Sequence, residues 1–162
     1  MQVAMLGTLL ITAWNGVALT LQSEHPLPPG LETAVARELA SSALGADSQS
    51  TLVVRIHGNC RVDRMPRRAN SDGPLGWVDI VDGEMLSIIH LDCTRIGEAL
   101  ARLVDNPNSV QTEELYARAM ARVIRHELRH VQLNTTRHEK RGENKAALLA
   151  EELVAPSGRI GQ

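Results

Sequence analysis

The chain has 162 residues, 43% of them hydrophobic, and a formal net charge of −2. This length suits one domain with a modest core, and the near-neutral charge excludes a global attraction to nucleic acid or to anionic membranes. Aromatic residues make up only 2% of the chain and phenylalanine is absent, so the core must be aliphatic.

The first 22 residues contain no charged side chain. Small polar residues and glycines interrupt their apolar run, which favours a secretory signal peptide over a membrane span. Gly16 and Ala18 offer small residues for cleavage near position 18, although the basic start of such signals is missing. An uncleaved anchor and a first core element are the alternatives. We therefore expect a secreted or periplasmic protein, with residues 23–162 as its single domain.

The middle of the chain has the pattern of a small α+β unit. The predicted elements are a helix over 31–44, a strand over 51–57, a basic surface loop over 61–74, strands over 77–81 and 85–92, and a helix over 94–104. Between the last two strands lies Asp82-Gly83, the strongest hairpin signal in the chain. These elements predict a sheet with helices packed on it.

Cys60 and Cys93 are the only cysteines. An even pair in an exported chain predicts one disulfide, and each cysteine adjoins a predicted strand. Two buried free thiols in a cytosolic protein are the alternative. A role as metal ligands is less favoured, because a helix further along the chain supplies its own.

A long helix is predicted from Thr112, as N-cap, to Leu133, since no glycine or proline interrupts this stretch. One face carries apolar residues and should face the core: Ala117, Met120, Ile124, Leu128 and Val131. Roughly opposite runs an arginine stripe that we expect to be solvated: Arg118, Arg122, Arg125 and Arg129.

Within this helix, residues 126–130 read HELRH and fit the H-E-x-x-H pattern of zinc peptidases. His126 and His130 are four residues apart, so they share a helix face and can reach one zinc ion at about 2.0–2.1 Å. Glu127 projects to one side, where it can act as a general base without being a ligand. The alternative is a surface helix whose histidines bind nothing.

A catalytic zinc normally has three protein ligands, so a third is expected downstream. His138 follows His130 by eight residues, across a turn that starts at Asn134. Asparagine tolerates the left-handed conformation of a helix C-cap, which would turn the chain back toward the metal. Glu151, in a second predicted helix over 143–154, is the alternative third ligand.

The segment HELRHVQLNTTRHEKRG, residues 126–142, resembles a group of small exported zinc metallopeptidases of bacteria. In that group a Leu-Gly turn follows the motif, then a third histidine eight residues on, then Gly-x-Met. Here Asn134 replaces the turn glycine, and Asn144 stands in the methionine position. The resemblance implies His138 as third ligand. A similarity to the gluzincins, whose third ligand is a glutamate on a later helix, would instead imply Glu151.

The resemblance also implies a minimal zincin-like fold. A helix and a small mixed sheet would pack on the motif helix, followed by a C-terminal helix. By order of elements, residues 86–91 would form the edge strand that pairs with an extended substrate.

Together these features predict a zinc metalloendopeptidase. Zinc held by His126, His130 and His138 would lower the pKa of a water molecule, and Glu127 would take its proton during attack on a peptide carbonyl. We expect a monomer that acts on peptides or proteins, with neither nucleic acid nor a membrane as a stable partner. The competing functions are a non-catalytic zinc-bearing domain and a binding module that uses the arginine stripe.

Overall fold

A computed structural model describes residues 7–14, 17–41, 51–60, 73–106, 109–141 and 146–156. Within these ranges the predicted α+β class is confirmed. The elements in chain order are β1 (Gly7–Trp14), β2 (Val17–Ser23), α1 (Leu31–Ala40), β3 (Thr51–His57), β4 (Gly76–Val81), β5 (Glu84–Asp92), α2 (Cys93–Leu100), α3 (Val110–Leu133) and α4 (Ala150–Val154). Residues 42–44 of the first predicted helix, 61–72 of the predicted loop, Gly142 and Asn144 lie outside the described residues.

The five strands form one mixed sheet in the order β1-β2-β3-β5-β4. β2, β3 and β5 run parallel, while β1 and β4 are antiparallel to their neighbours. Cross-strand partners Leu21, Val54 and Ile89 are all buried on one face of the sheet. The apolar sides of α1 and α3 join the same core, as expected for parallel strands, which need helices to cover them.

The predicted hairpin at Asp82-Gly83 is confirmed, and both residues have the positive φ of a type I′ turn, 53° and 85°. The expectation that residues 86–91 form the edge strand is wrong. β5 pairs with β3 on one side and β4 on the other, so β4 is the edge strand at this end of the sheet. The hairpin inserts its second strand next to β3, a non-local pairing that the order of elements does not specify.

Part of the N-terminal segment belongs to the sheet. β2 pairs in parallel with β3, and its Leu19 and Leu21 are only 1% and 2% exposed. This placement agrees with the alternative of a first core element, while cleavage of residues 1–22 stays a prediction. Among the described residues, no helix has both the length and the apolar character needed to cross a membrane.

The predicted disulfide between Cys60 and Cys93 is present, with the two Cα atoms 5.0 Å apart. It connects the residues after β3 to the first residue of α2. A disulfide of this kind is typical of proteins in an oxidising compartment.

The long motif helix is present, but it begins one turn earlier than predicted. Ser109, rather than Thr112, is the N-cap, because its hydroxyl accepts a hydrogen bond from the Thr112 backbone N–H at 3.2 Å. The Thr112 hydroxyl donates instead to the carbonyl of Asn106 at 2.6 Å. At the other end, the predicted left-handed Asn134 is confirmed with φ 43°.

The expectation of a solvated arginine stripe on α3 is wrong for its two central members. Arg122 is 0% exposed and Arg125 is 4% exposed, because α1 and α4 cover this side of the helix. Arg122 donates to the carbonyls of Glu152 and Ala155, the latter at 2.7 Å. The last carbonyls of a helix lack partners within it, and here a buried guanidinium supplies the donors for α4.

The helix predicted over 143–154, after the motif helix, is shorter than expected. Residues 146–149 are not helical, and α4 begins at Ala150. The Leu149 backbone N–H donates to the Glu152 carboxylate at 2.7 Å, which fixes this start. Residues 143–145 of the predicted helix lie outside the described residues.

Candidate metal centre

Three histidines converge at the end of α3. The Nε2 atom of His130 lies 3.1 Å from Nε2 of His126 and 3.2 Å from Nε2 of His138. All three candidate ligand atoms lie within 4.8 Å of one another. This group could hold a metal ion.

The turn after α3 brings His138 back to the helix. Asn134 adopts the left-handed conformation, and the Thr135 backbone N–H then donates to the His130 carbonyl at 3.2 Å. This is the Schellman arrangement of a helix C-terminus, which reverses the chain. Without the reversal, a residue eight positions after His130 would lie farther along the helix axis.

The Nδ1 atom of His130 lies 2.6 Å from the carbonyl oxygen of Thr135. A carbonyl can only accept, so Nδ1 carries the proton and Nε2 presents a lone pair to the other two rings. Such a bond on the outer nitrogen is the usual way in which a ligating histidine is oriented.

The donor set fits a transition-metal ion with a preference for imidazole. Three nitrogens bound tetrahedrally at about 2.0–2.1 Å would lie roughly 3.3–3.4 Å apart. The 3.1 and 3.2 Å separations are close to that value. The geometry therefore suits a tetrahedral ion with one position open, without identifying which metal it is.

Glu127 lies beside this group and lines the same cleft as His126, His130 and His138. It is 7% exposed, and burial raises the pKa of its carboxyl group to about 7. A carboxyl group with this pKa can both accept and release a proton near neutral pH.

The cleft has a volume of about 570 Å³ and runs between α3, the β4–β5 hairpin and residues 146–148. Among the described residues that line it, those other than the histidines and Glu127 are uncharged and mostly apolar, and include Leu75, Trp77, Val78, Ile80, Met85 and Val123. Gly76 allows β4 to approach α3 closely. A Cβ atom there would lie 2.6 Å from Val123 Cγ1 and 3.2 Å from Glu127 Cγ.

Glu151, the alternative third ligand, is exposed on α4 and does not join the histidines. Within the part of the chain that the structure describes, the three histidines are the one group of histidine, cysteine or acidic residues arranged to hold a metal. Both cysteines are taken up by the disulfide.

The structure also brings together a second set of residues, His57, His90 and Trp77, for which the sequence predicted no function. The two imidazole rings meet through a hydrogen bond and Trp77 stacks on both, on the sheet face away from the helices. The available signal was a histidine at an outward position of each of two strands, but such histidines are more often packed without a function.

Comparison of the chain with protein-family models, with curated proteins and with solved structures found no match.

Proposed function

We propose that the protein is a zinc metalloendopeptidase, with His126, His130 and His138 as zinc ligands and Glu127 as general base. The observation that carries this proposal is the convergence of three imidazole Nε2 atoms beside a buried carboxyl group in a cleft. Three histidines and an open fourth position are a common ligand set for catalytic zinc. A zinc ion bound there would supply Lewis acidity that makes water a nucleophile near neutral pH.

The residues of the chain hold and move the proton. The Thr135 carbonyl fixes the His130 ring so that Nε2 faces the site. A carboxylate oxygen of Glu127 would take the proton of the attacking water and later deliver it to the amine nitrogen of the leaving group. The burial of Glu127 supports this role, because its carboxyl group is held in the cleft beside the histidines and away from bulk water.

The β4 strand supports an extended peptide as the substrate. Among the described strands it pairs only with β5, so the backbone groups of its outer edge are available for strand addition. Its residues Val78 and Ile80 line the cleft, which favours apolar substrate side chains near the scissile bond. In this zincin-like arrangement β4, rather than residues 86–91, is the substrate-binding strand.

An exported location is part of the proposal, and the Cys60–Cys93 disulfide supports it. The burial of Arg122 and Arg125 removes the main support for a binding module built on the arginine stripe. A zinc-bearing domain without catalysis would have the same metal ligands but would not need Glu127 as a base.

The test compares E127Q with E114Q for hydrolysis of fluorogenic peptides that carry apolar residues. Both changes remove one carboxylate from α3, but Glu114 is exposed and forms a surface ion pair with Arg37 at 3.7 Å. We expect E127Q to keep zinc and lose about 10²–10⁴-fold in kcat, while E114Q stays near the wild type. Hydrolysis by E127Q at the wild-type rate would refute the proposed mechanism.

A further inference from the structure

A second cluster of ionisable side chains lies on the sheet face opposite the core helices. His90 sits on β5 between Ile89 and Leu91, which are both buried in the core, so its ring projects from the other face. The Nε2 atom of His57, the last residue of β3, lies 2.8 Å from Nδ1 of His90. None of the histidines of the candidate metal centre belongs to this cluster.

Each of these two histidines also contacts a carboxylate through its other ring nitrogen. Nδ1 of His57 lies 2.8 Å from Oε1 of Glu24, and Nε2 of His90 lies 3.0 Å from Oδ2 of Asp79. The hydrogen bond from His57 and one from the Gly58 backbone N–H hold the pKa of Glu24 below its usual value. The result is a linear chain, carboxylate to imidazole to imidazole to carboxylate.

The number of protons in this chain follows from its geometry. A neutral imidazole has one N–H group, and a carboxylate can only accept. If both rings were neutral, each would donate its proton to a carboxylate, and two lone pairs would face each other across 2.8 Å. A third proton between Nε2 of His57 and Nδ1 of His90 removes this repulsion and completes the chain.

The separation of the two nitrogens distinguishes a proton from a metal ion. A charge-assisted hydrogen bond spans about 2.7–2.9 Å between heavy atoms. A metal ion held in line between two imidazoles at about 2.0–2.1 Å per bond would need roughly 4 Å. The planes of the two rings differ by only 7°, as expected for rings joined edge to edge by a hydrogen bond.

Trp77 of β4 stacks on both rings. Its centroid lies 5.0 Å from that of His90 and 5.4 Å from that of His57, and the planes differ by 6° and 13°. The face of an indole carries negative charge density and attracts a cation placed over it. Trp77 is therefore placed to stabilise a positive charge shared by the two histidines, and it belongs to β4, the strand that lines the cleft.

We propose that His57 and His90 bind one proton between them at neutral pH, and that this shared charge holds the Trp77 ring in place on the outer face of β4, the strand that lines the cleft. Loss of the proton leaves two opposed lone pairs, so one ring must turn and the stack on Trp77 loosens. The pair is thus a positioning site that makes the packing of Trp77 on the edge strand β4 sensitive to pH. It depends neither on bound metal nor on the peptidase activity proposed above.

The surrounding charges favour this arrangement. Glu24 and Asp79 place a negative charge at each end of the pair. Arg55 and Asp92 are the sheet-register partners of His90 and His57. Asp92 is held by Arg95 at 3.1 Å and Arg55 is exposed, so both act on the pair more weakly than the two bonded carboxylates. A weaker charge interaction with His25 also lowers the pKa of Glu24.

The first measurement is long-range ¹H–¹⁵N NMR of the histidine rings in the full disulfide-bonded chain at pH 7, with chelator present. We expect three N–H protons on the His57 and His90 pair, with assignments from H57Q and H90Q and with exposed His25 as the internal reference. Two neutral rings at pH 7 would overturn the proposal. A spectrum of the pair that changes on addition of zinc would also overturn it, because it would indicate a metal in place of the proton.

The second measurement follows Trp77 fluorescence against pH in W14F, where it is the only tryptophan. A protonated imidazole quenches a stacked indole, so we expect the emission to rise in the same step in which the pair loses its proton. H57Q, whose side chain is partly exposed, should fold and lose this step, as should H90Q. An emission step that persists in H57Q, or no step at all while the NMR signals titrate, would contradict the link to Trp77.

Discussion

His130 and Thr135 are joined by two hydrogen bonds that run in opposite directions. The Thr135 backbone N–H donates to the His130 carbonyl at 3.2 Å, and the His130 ring Nδ1–H donates to the Thr135 carbonyl at 2.6 Å. The first bond closes the helix terminus and the second orients the imidazole. The chain reversal that brings His138 to the site therefore also fixes the tautomer of His130.

Asn134 makes this reversal possible, and its replacement should show how. Its φ is 43°, and its side chain accepts from the Met85 backbone N–H at 3.1 Å and donates to Glu84 at 3.0 Å. N134A loses these bonds and adds about 1–2 kcal/mol of left-handed strain, whereas N134G loses the bonds without that strain. We expect N134G to be more stable than N134A in chemical denaturation and to bind zinc more tightly. Equal stability and equal zinc affinity in N134A and N134G would show that the left-handed turn does not control the site.

Gly76 sets the distance between β4 and α3. The Cβ atom of G76A would lie 2.6 Å from Val123 Cγ1 and 3.0 Å from the His90 carbonyl. We expect a loss of about 1–3 kcal/mol in the free energy of unfolding, a wider cleft and a lower kcat/KM, with zinc content unchanged. The double variant G76A/V123A removes the clashing methyl group. Its loss in the free energy of unfolding should therefore be smaller than the sum of the losses in G76A and in V123A. Strict additivity would contradict the proposed contact.

Tyr116 should make the fold sensitive to alkaline pH. It is 1% exposed, its hydroxyl donates to the Cys93 carbonyl, and burial raises its pKa above the usual range. The unfolded chain loses the phenol proton near pH 10 and the folded chain holds it more tightly, so stability should fall as the pH rises above about 10. This is the only tyrosine, and we expect its phenolate absorbance to appear together with the loss of helical circular dichroism. Ionisation near pH 10 in a chain that is still folded would contradict this, and Y116F provides the control.

Local signals in the sequence were sufficient for several features. The Asp82-Gly83 turn and the left-handed Asn134 depend on residues close in sequence, and both are confirmed. Two of the three histidines lie four residues apart on one helix, and the third follows the predicted turn, so their proximity could also be expected. Their function as zinc ligands stays a prediction.

Features that depend on distant contacts were not predicted. The burial of Arg122 requires α4 to pack over α3, and its acceptors lie 30 and 33 residues away in sequence. The His57–His90 pair forms because β5 inserts next to β3, and these histidines are 33 residues apart. Strand order is set by the packing of the whole sheet, which the pattern within a single strand does not report.

The central claim is tested most directly by the number of zinc ions per molecule in the wild type, H138A and E151A after reconstitution. His138 lies in the histidine group, whereas Glu151 is exposed on α4. We predict one zinc ion in the wild type and in E151A, and a content well below one in H138A. No zinc in the wild type, or loss of zinc in E151A with H138A unaffected, would contradict the assignment of the metal centre.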